Sequence, residues 1–282
     1  MAYVNPLIAK WNAGEPTFGA WLTTPDPSIA EYFALAGFDE VTADQQHSTI
    51  ETNDLTAIFA TIELRGAVPS TRVHSNDHVA IGQALDLGAQ MVIIPMVNNA
   101  AEAARAVAAF RYPPRGTRSA GPVRPQYAMG DTPQQLEAAA CVVMVETRDG
   151  LANVDAIAAV PGVDAIYIGP GDLALGMGFG WDSGSRSASE NKAHAAAVER
   201  IRQACERHGV TPGIHVGDAE TSFRYAEQGF RLITVASDIG LIMSGGAATL
   251  ARVRSAVPPT GRGGRGGGKP AGRSPKGRST PI

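Results

Sequence analysis

The chain predicts an α/β fold: a closed (β/α)8 barrel with an N-terminal helix before it and a disordered basic tail after it. Three observations carry that expectation. Eight short β-branched or apolar runs alternate with longer segments of helical spacing, the pattern of parallel strands joined by crossover helices. Eight units favour closure over an open doubly wound sheet, and no glycine-rich dinucleotide or phosphate loop follows the first run. The length of 282 residues suits one barrel of about 250 residues with a short extension.

The N-terminal helix is expected around Lys10. The strand candidates are FGAWLTT (18–24), DEVTAD (39–44), VPSTRV (68–73), QMVIIPM (90–96), CVVMVET (141–147), DAIYIG (164–169), VTPGIHV (210–216) and FRLITVA (230–236). Between them lie PSIAEYFALAG, TIETNDLTAIFATIELRG, NNAAEAARAVAAF, ASENKAHAAAVERIRQACERHG and DAETSFRYAEQG. The last three place apolar or alanine residues at helical spacing, and several of these segments stop at glycine. IGLIMSGGAATLARVRSAV follows the eighth strand as a closing helix, weakened at Gly245 and Gly246. From Pro258 onward the chain carries Arg262, Arg265, Lys269, Arg273, Lys276 and Arg278 and no acid. That stretch is rich in Gly, Pro and Ser without apolar periodicity, so it cannot bury enough surface to order itself. The expected domains are therefore a barrel over 1–257 and a disordered tail over 258–282.

Composition narrows the function. A hydrophobic fraction of 44% supports a sizeable core. Charges or glycines break the apolar runs well before the roughly 20 residues a membrane helix needs. The first residues lack the basic-then-apolar layout of a secretory signal. Cys141 and Cys205 are too far apart for a paired thiol motif, and Cys141 opens an apolar strand, so a reduced cytoplasmic setting is expected. The net charge of −3 includes the basic tail, so the body is more acidic still and does not attract nucleic acid through its charge. The tail could engage RNA or another polyanion, but it has no aromatic residue for stacking; the competing reading is a solvated extension.

In such a barrel the chemistry sits where strands end and enter the following loops. Those ends place Asp44 and His47 after strand two, Arg72 after strand three, Glu146 after strand five and Asp172, in GPGDL, after strand six. Two carboxylates on neighbouring strands repel each other unless something positive lies between them. A divalent cation answers that need, since Mg2+ or Mn2+ is commonly held by two carboxylates with its other positions left to water and substrate. The competing reading has Asp172 capping the next helix and Glu146 paired with Arg148 or Arg72. Arg72 suits either a site for a carboxylate or enolate or a salt bridge on the rim. His47 suits either a general base oriented by Asp44 or a loop histidine packed on the following helix. His215 ends strand seven, where it could line the pocket; His194 and His208 read as solvated on an amphipathic helix. Lys10, Lys192, Lys269 and Lys276 all lie away from strand ends, which leaves a Schiff-base mechanism without a nucleophile. No Cys/His triad or serine elbow appears, so carbanion chemistry here would need a metal as electron sink.

VTADQQHSTIE, LDLGAQMVIIPMVNNAAEAARAVAAFRYPPRGTRSAGP, MVETRDGLANVDAIAAVPGVDAIYIGPGDLALGMG and GFRLITVASD together resemble the HpcH/HpaI-type metal-dependent aldolases. These include pyruvate and hydroxypyruvate aldolases related to 4-hydroxy-2-oxoheptanedioate aldolase. The resemblance runs in order from about residue 5 to 256 and is most specific over 145–178. It implies Glu146 and Asp172 as ligands of Mg2+ or Mn2+, with Co2+ a further candidate, and Arg72 as the keto-acid contact that stabilises the enolate. It implies His47, with Asp44 and Asp86, as the acid/base group, and the backbone N–H groups around Gly171 and Asp172 as the cradle for the substrate carboxylate. It also implies a homohexamer that exchanges its last helix, with Arg118 or Arg124 near a neighbour's site. Met144, Gln46 and Val73 stand where the heptanedioate branch has Gln, Glu and Pro. DQQH and RSAGPVRP are similar instead to broad-specificity hydroxyketoacid aldolases. The implied reaction joins pyruvate or hydroxypyruvate to an aldehyde, or reverses that step. The runner-up is a malyl- or citramalyl-CoA lyase, which would need a basic groove that this lysine-poor body does not provide.

Overall fold

The computed structural model describes residues 3–179 and 191–256. The tail expected over 258–282 lies outside the described residues, and the expected boundary at 257/258 falls at their edge. The chain divides into two compact units, Met1–Asp238 and Ile239–Ile282. In the first unit, eight parallel strands close in sequence order into a barrel, the TIM-barrel arrangement: β1 (Thr17–Leu22), β2 (Glu40–Asp44), β3 (Val68–Arg72), β4 (Met91–Ile94), β5 (Ala140–Val145), β6 (Ala165–Ile168), β7 (Thr211–His215) and β8 (Leu232–Ser237). Each falls within a residue or two of its sequence expectation. β8 closes on β1 with a register shift between Gly19 and Ala20.

The helices are α1 (Pro6–Asn12), α2 (Pro27–Ala36), α3 (Leu55–Leu64), α4 (His78–Asp86), α5 (Ala100–Phe110), α6 (Pro125–Ala128), α7 (Pro133–Leu136), α8 (Arg148–Ala152), α9 (Val154–Ala158), α10 (Pro170–Gly176), α11 (Lys192–His208), α12 (Ala219–Glu227) and α13 (Asp238–Ala256). The longer helices α2, α3, α4, α5 and α11 each bury one stripe against the barrel. On α3 that stripe is Leu55, Ile58, Phe59 and Ile62, spaced i, i+3, i+4, i+7 and fully buried. Each such side chain contributes roughly 2 kcal/mol, so Ile58→Ala would cost about 2–5 kcal/mol. Helices α2 and α11 end on Gly37 and Gly209 at φ of 96° and 67°, a left-handed turn that glycine adopts without strain. Helix α13 runs unbroken through Gly245 and Gly246.

A second apolar cluster fills the barrel itself, and Leu7 and Trp11 of α1 join Val68, Ala140 and Leu232 at the N-terminal ends of the strands. Asn5 holds this plug in place: its side chain accepts from the Leu7 and Ile8 amides and donates to the Gln90 and Ala138 carbonyls. In register with Val68, the interior holds a carboxylic acid. Glu40 is fully buried, accepts a 2.6 Å bond from the Thr42 hydroxyl, and burial pushes its pKa up to about 8. Gly19, its register partner on β1, makes the room, because a Cβ there would lie 1.6 Å from Glu40 Oε1.

Candidate active site

With the N-terminal mouth closed by α1, the open end is the rim where the strands stop. β2 and β3 end in register on Asp44 and Arg72. Arg72 Nε donates to Asp44 Oδ1 at 2.8 Å and Nη2 donates to Oδ2 at 2.6 Å, a bidentate pair that is almost fully buried. The guanidinium also lies 4.8 Å over the Trp21 ring, whose Nε1 donates to Asp44. Burial alone would raise the Asp44 pKa; Arg72, the Gln46 amide and Trp21 outweigh it and hold the carboxyl below its ordinary value. No described residue hydrogen-bonds Arg72 Nη1, so this rigidly held cation still has a donor to offer.

Glu146 follows β5 and is buried, with Oε1 accepting from the Met96 amide at 2.8 Å. Met96 presents that amide through a left-handed backbone at φ 57°. Gly169 gives Glu146 its space, since a Cβ there would lie 2.7 Å from Glu146 Oε2. Asp172 sits exposed in the first turn of α10, whose N-cap is Gly169. The α10 start is braced from behind by His194, whose Nε2 is 3.0 Å from the Pro170 carbonyl oxygen. His194 is buried there rather than solvated, because the loop ending β6 packs back on α11.

Glu146 and Asp172 act on each other electrostatically. Burial pushes the Glu146 pKa up to about 7; the Met96 amide opposes the rise, the Asp172 charge adds to it, and Arg72 opposes it from farther off. The competing pairings do not form. Arg148 donates to the Met177 carbonyl, Arg72 is committed to Asp44, and Asp172 is not the N-cap of α10. Among the described residues no ion pair engages Glu146 or Asp172, and no group of three or more His, Cys, Asp or Glu assembles. Two hard oxygen donors, with the Asp172 charge adding to the rise at Glu146, fit a divalent cation of the Mg2+ type. The Gly171 and Asp172 amides lie in the same first turn, where backbone N–H groups lack intrahelical acceptors.

The other candidates are placed differently. His47 is exposed on the loop after β2, three residues beyond Asp44, and makes no hydrogen bond to a described residue. Asp86 is the last residue of α4, at the opposite end of its own barrel from His47, and pairs with Arg118 at 3.1 Å. Arg118 is buried and also donates to Leu136 O; Arg124 donates to Glu63 at 2.7 Å and to Leu87 O. Within one chain both arginines therefore belong to the segment that wraps the N-terminal side of the barrel. Residue-level reasoning missed Trp21, Met96 and Tyr167. The inward alternation of FGAWL and DAIYI could have flagged Trp21 and Tyr167, but nothing in the sequence marks the Met96 amide. Among the described residues no strand ends on lysine, as expected.

Residues 17–244 match the family model described as HpcH/HpaI aldolase/citrate lyase. The hydroxypyruvate/pyruvate aldolase of Rhizorhabdus wittichii is 35% identical over 254 residues, covering 89% of this chain and all of that protein. The 2-dehydro-3,6-dideoxy-6-sulfogluconate aldolase of Pseudomonas putida is 39% identical over 80% of this chain and 88% of its own length. An HpcH/HpaI aldolase/citrate lyase family protein of known structure from Burkholderia cenocepacia superposes with a TM-score of 0.80 at 32% identity, over 89% of this chain and 100% of that one.

Proposed function

Because the chain belongs to the HpcH/HpaI aldolase/citrate lyase family, we propose that it is a divalent-metal-dependent aldolase making or cleaving 4-hydroxy-2-keto acids from pyruvate or hydroxypyruvate and an aldehyde. The observation that carries this reading is the Glu146–Asp172 pair, which no described residue engages in an ion pair and which shares the rim with Arg72. Glu146 and Asp172 would hold Mg2+, Mn2+ or Co2+, which when bound supplies Lewis-acid polarisation of the keto group. The Gly171 and Asp172 amides hold the donor carboxylate. Arg72 Nη1 faces the keto oxygen and stabilises the negative charge that grows there as a C3 proton leaves, while Asp44 and Trp21 keep the guanidinium from following the substrate. His47 takes that proton, directly or through water, and returns it to the oxygen of the new alcohol; in cleavage it takes the alcohol proton and returns it to C3.

Asp86 joins that acid/base group only from a second copy of the chain, because its own barrel separates it from His47. This supports a homo-oligomer, and we infer a hexamer; Leu241, Ile242, Met243 and Leu250 of α13 are exposed and offer apolar surface for such assembly. Both cysteines are buried and free, in keeping with a cytoplasmic setting, and no helix among the described residues is long and apolar enough to cross a membrane.

The test is exchange of the pyruvate methyl protons into heavy water, followed by NMR with Mg2+ or Mn2+ present. Exchange is expected, and a chelator or Glu146→Ala should stop it. Exchange that survives both overturns the metal assignment.

A further inference from the structure

Trp21, Tyr167, His215 and Thr234 meet on the inward face just below the rim, and the reaction above gives the last three no task. The His215 ring stands edge-on to Trp21, 5.0 Å between centroids at 84°. That is the indole over which the Arg72 guanidinium lies at 4.8 Å. His215 and the Arg72 guanidinium thus share the Trp21 indole, and a donor substituent directed along that indole from the keto carbon would meet His215.

Hydrogen-bond accounting fixes which face His215 shows. The single phenolic proton of Tyr167 is donated to Thr234 Oγ1 at 2.5 Å. The same phenolic oxygen lies 3.2 Å from His215 Nδ1. With its own proton committed, Tyr167 can only accept there, so Nδ1 carries the imidazole proton and donates it. Nε2 is left as a bare acceptor. No described residue bonds it, and His215 is half-buried at the C-terminal end of β7, so Nε2 opens toward the barrel mouth. The ring stays neutral: burial and then the Arg72 charge bring its pKa down to about 4, against a smaller opposing effect of Asp44. The titratable and charged groups around it are thus Arg72, Asp44 and Tyr167.

A neutral group that only accepts is selective. It repels carboxylate and phosphate oxygens, offers a methyl group nothing, and takes a hydrogen bond from a hydroxyl. We propose that His215 sets the donor preference of this aldolase, selecting 2-keto acids with a hydroxyl on C3 by accepting that hydroxyl's hydrogen bond at Nε2. The inference rests on the aldolase reading above and deepens it. A C3 methyl donor in the same position strips the water from Nε2 and returns no bond, which is how a polar subsite rejects an analogue lacking the group it recognises.

The experiment measures kcat/KM for C3 proton exchange into heavy water, without aldehyde, for hydroxypyruvate and pyruvate with Mn2+ present. Wild-type protein should favour hydroxypyruvate. His215→Phe should lower the hydroxypyruvate-to-pyruvate ratio by about tenfold or more, while His215→Gln, whose amide oxygen still accepts, should keep most of it. A ratio unchanged in His215→Phe, with both donors slowed alike, overturns the proposal. So does a variant that alters the choice between hydroxylated and plain aldehydes but not between donors. Wild-type protein that prefers pyruvate overturns it with no variant needed, which covers a variant that does not fold. Wild-type protein that exchanges neither donor sinks the aldolase reading itself, and the donor preference with it; intact exchange with an unshifted ratio sinks only the role of His215.

Discussion

Gly169 stands against Glu146 with no room for a side chain: a Cβ at residue 169 would lie 2.7 Å from Glu146 Oε2 and 2.6 Å from Met144 Cε. Gly169→Ala therefore pushes the carboxylate out of line with Asp172. The expected result is a roughly 10- to 100-fold loss of proton exchange, with a higher Mn2+ concentration needed for half-maximal rate. Thermal unfolding should show a cost of about 1–3 kcal/mol for the overpacking. Unaltered Mn2+ dependence would mean that Glu146 does not hold the cation.

Arg72→Lys keeps the charge but loses the two-pronged bond to Asp44 and the flat stack on Trp21. Steady-state kinetics should show kcat/KM down by about 10²–10³-fold with donor and metal saturation tested separately. Activity within a fewfold of wild type would place the keto oxygen elsewhere.

His47→Asn removes the proposed proton carrier from an exposed loop where it makes no hydrogen bond to a described residue. Its kcat should fall by about 10²–10⁴-fold while the donor KM stays nearly constant, because the loss is one of proton transfer and not of binding. A matched rise in KM with unchanged kcat would reassign His47 to substrate binding.

Glu40 gives the barrel a pH-dependent stability. Its pKa is about 8 in the fold against 4.5 for an ordinary glutamate, with burial the leading cause. Between those values the folded chain keeps a proton that the unfolded chain has released, so stability falls as pH rises from about 4.5 to about 8 and then levels off. Glu40→Gln removes this slope. Its unfolding free energy should gain on wild type between pH 5 and pH 8, by about a few kcal/mol at the upper end, and its Tm should rise accordingly. Parallel Tm curves for the two proteins would show that Glu40 does not titrate in this way.

The barrel was legible because most strands are buried on both faces and so read as short apolar runs, while the longer helices show their own period. The rim was legible for a similar reason. Asp44, Arg72, Glu146 and Asp172 are polar residues at the ends of apolar strands, and topology gathers strand ends. Asp86 fell outside that logic, since it ends a helix that runs back down the barrel. Helices α4, α8 and α9 were not singled out, being only nine, five and five residues long. Glu40 was hidden because an inward-pointing polar residue alternates with apolar ones just as a solvent-facing residue does. The Met96 amide and the His215 tautomer are properties of backbone direction and proton placement, which residue letters do not encode.

The close approach of Gly19 and Glu40 also constrains how this lineage can drift. Any enlargement at position 19 is blocked while the long acid remains, whereas shortening residue 40 merely opens a gap. Descendants can therefore change the two sites in one order only, acid first, and a homologue with a bulky residue at 19 should carry a small one at 40.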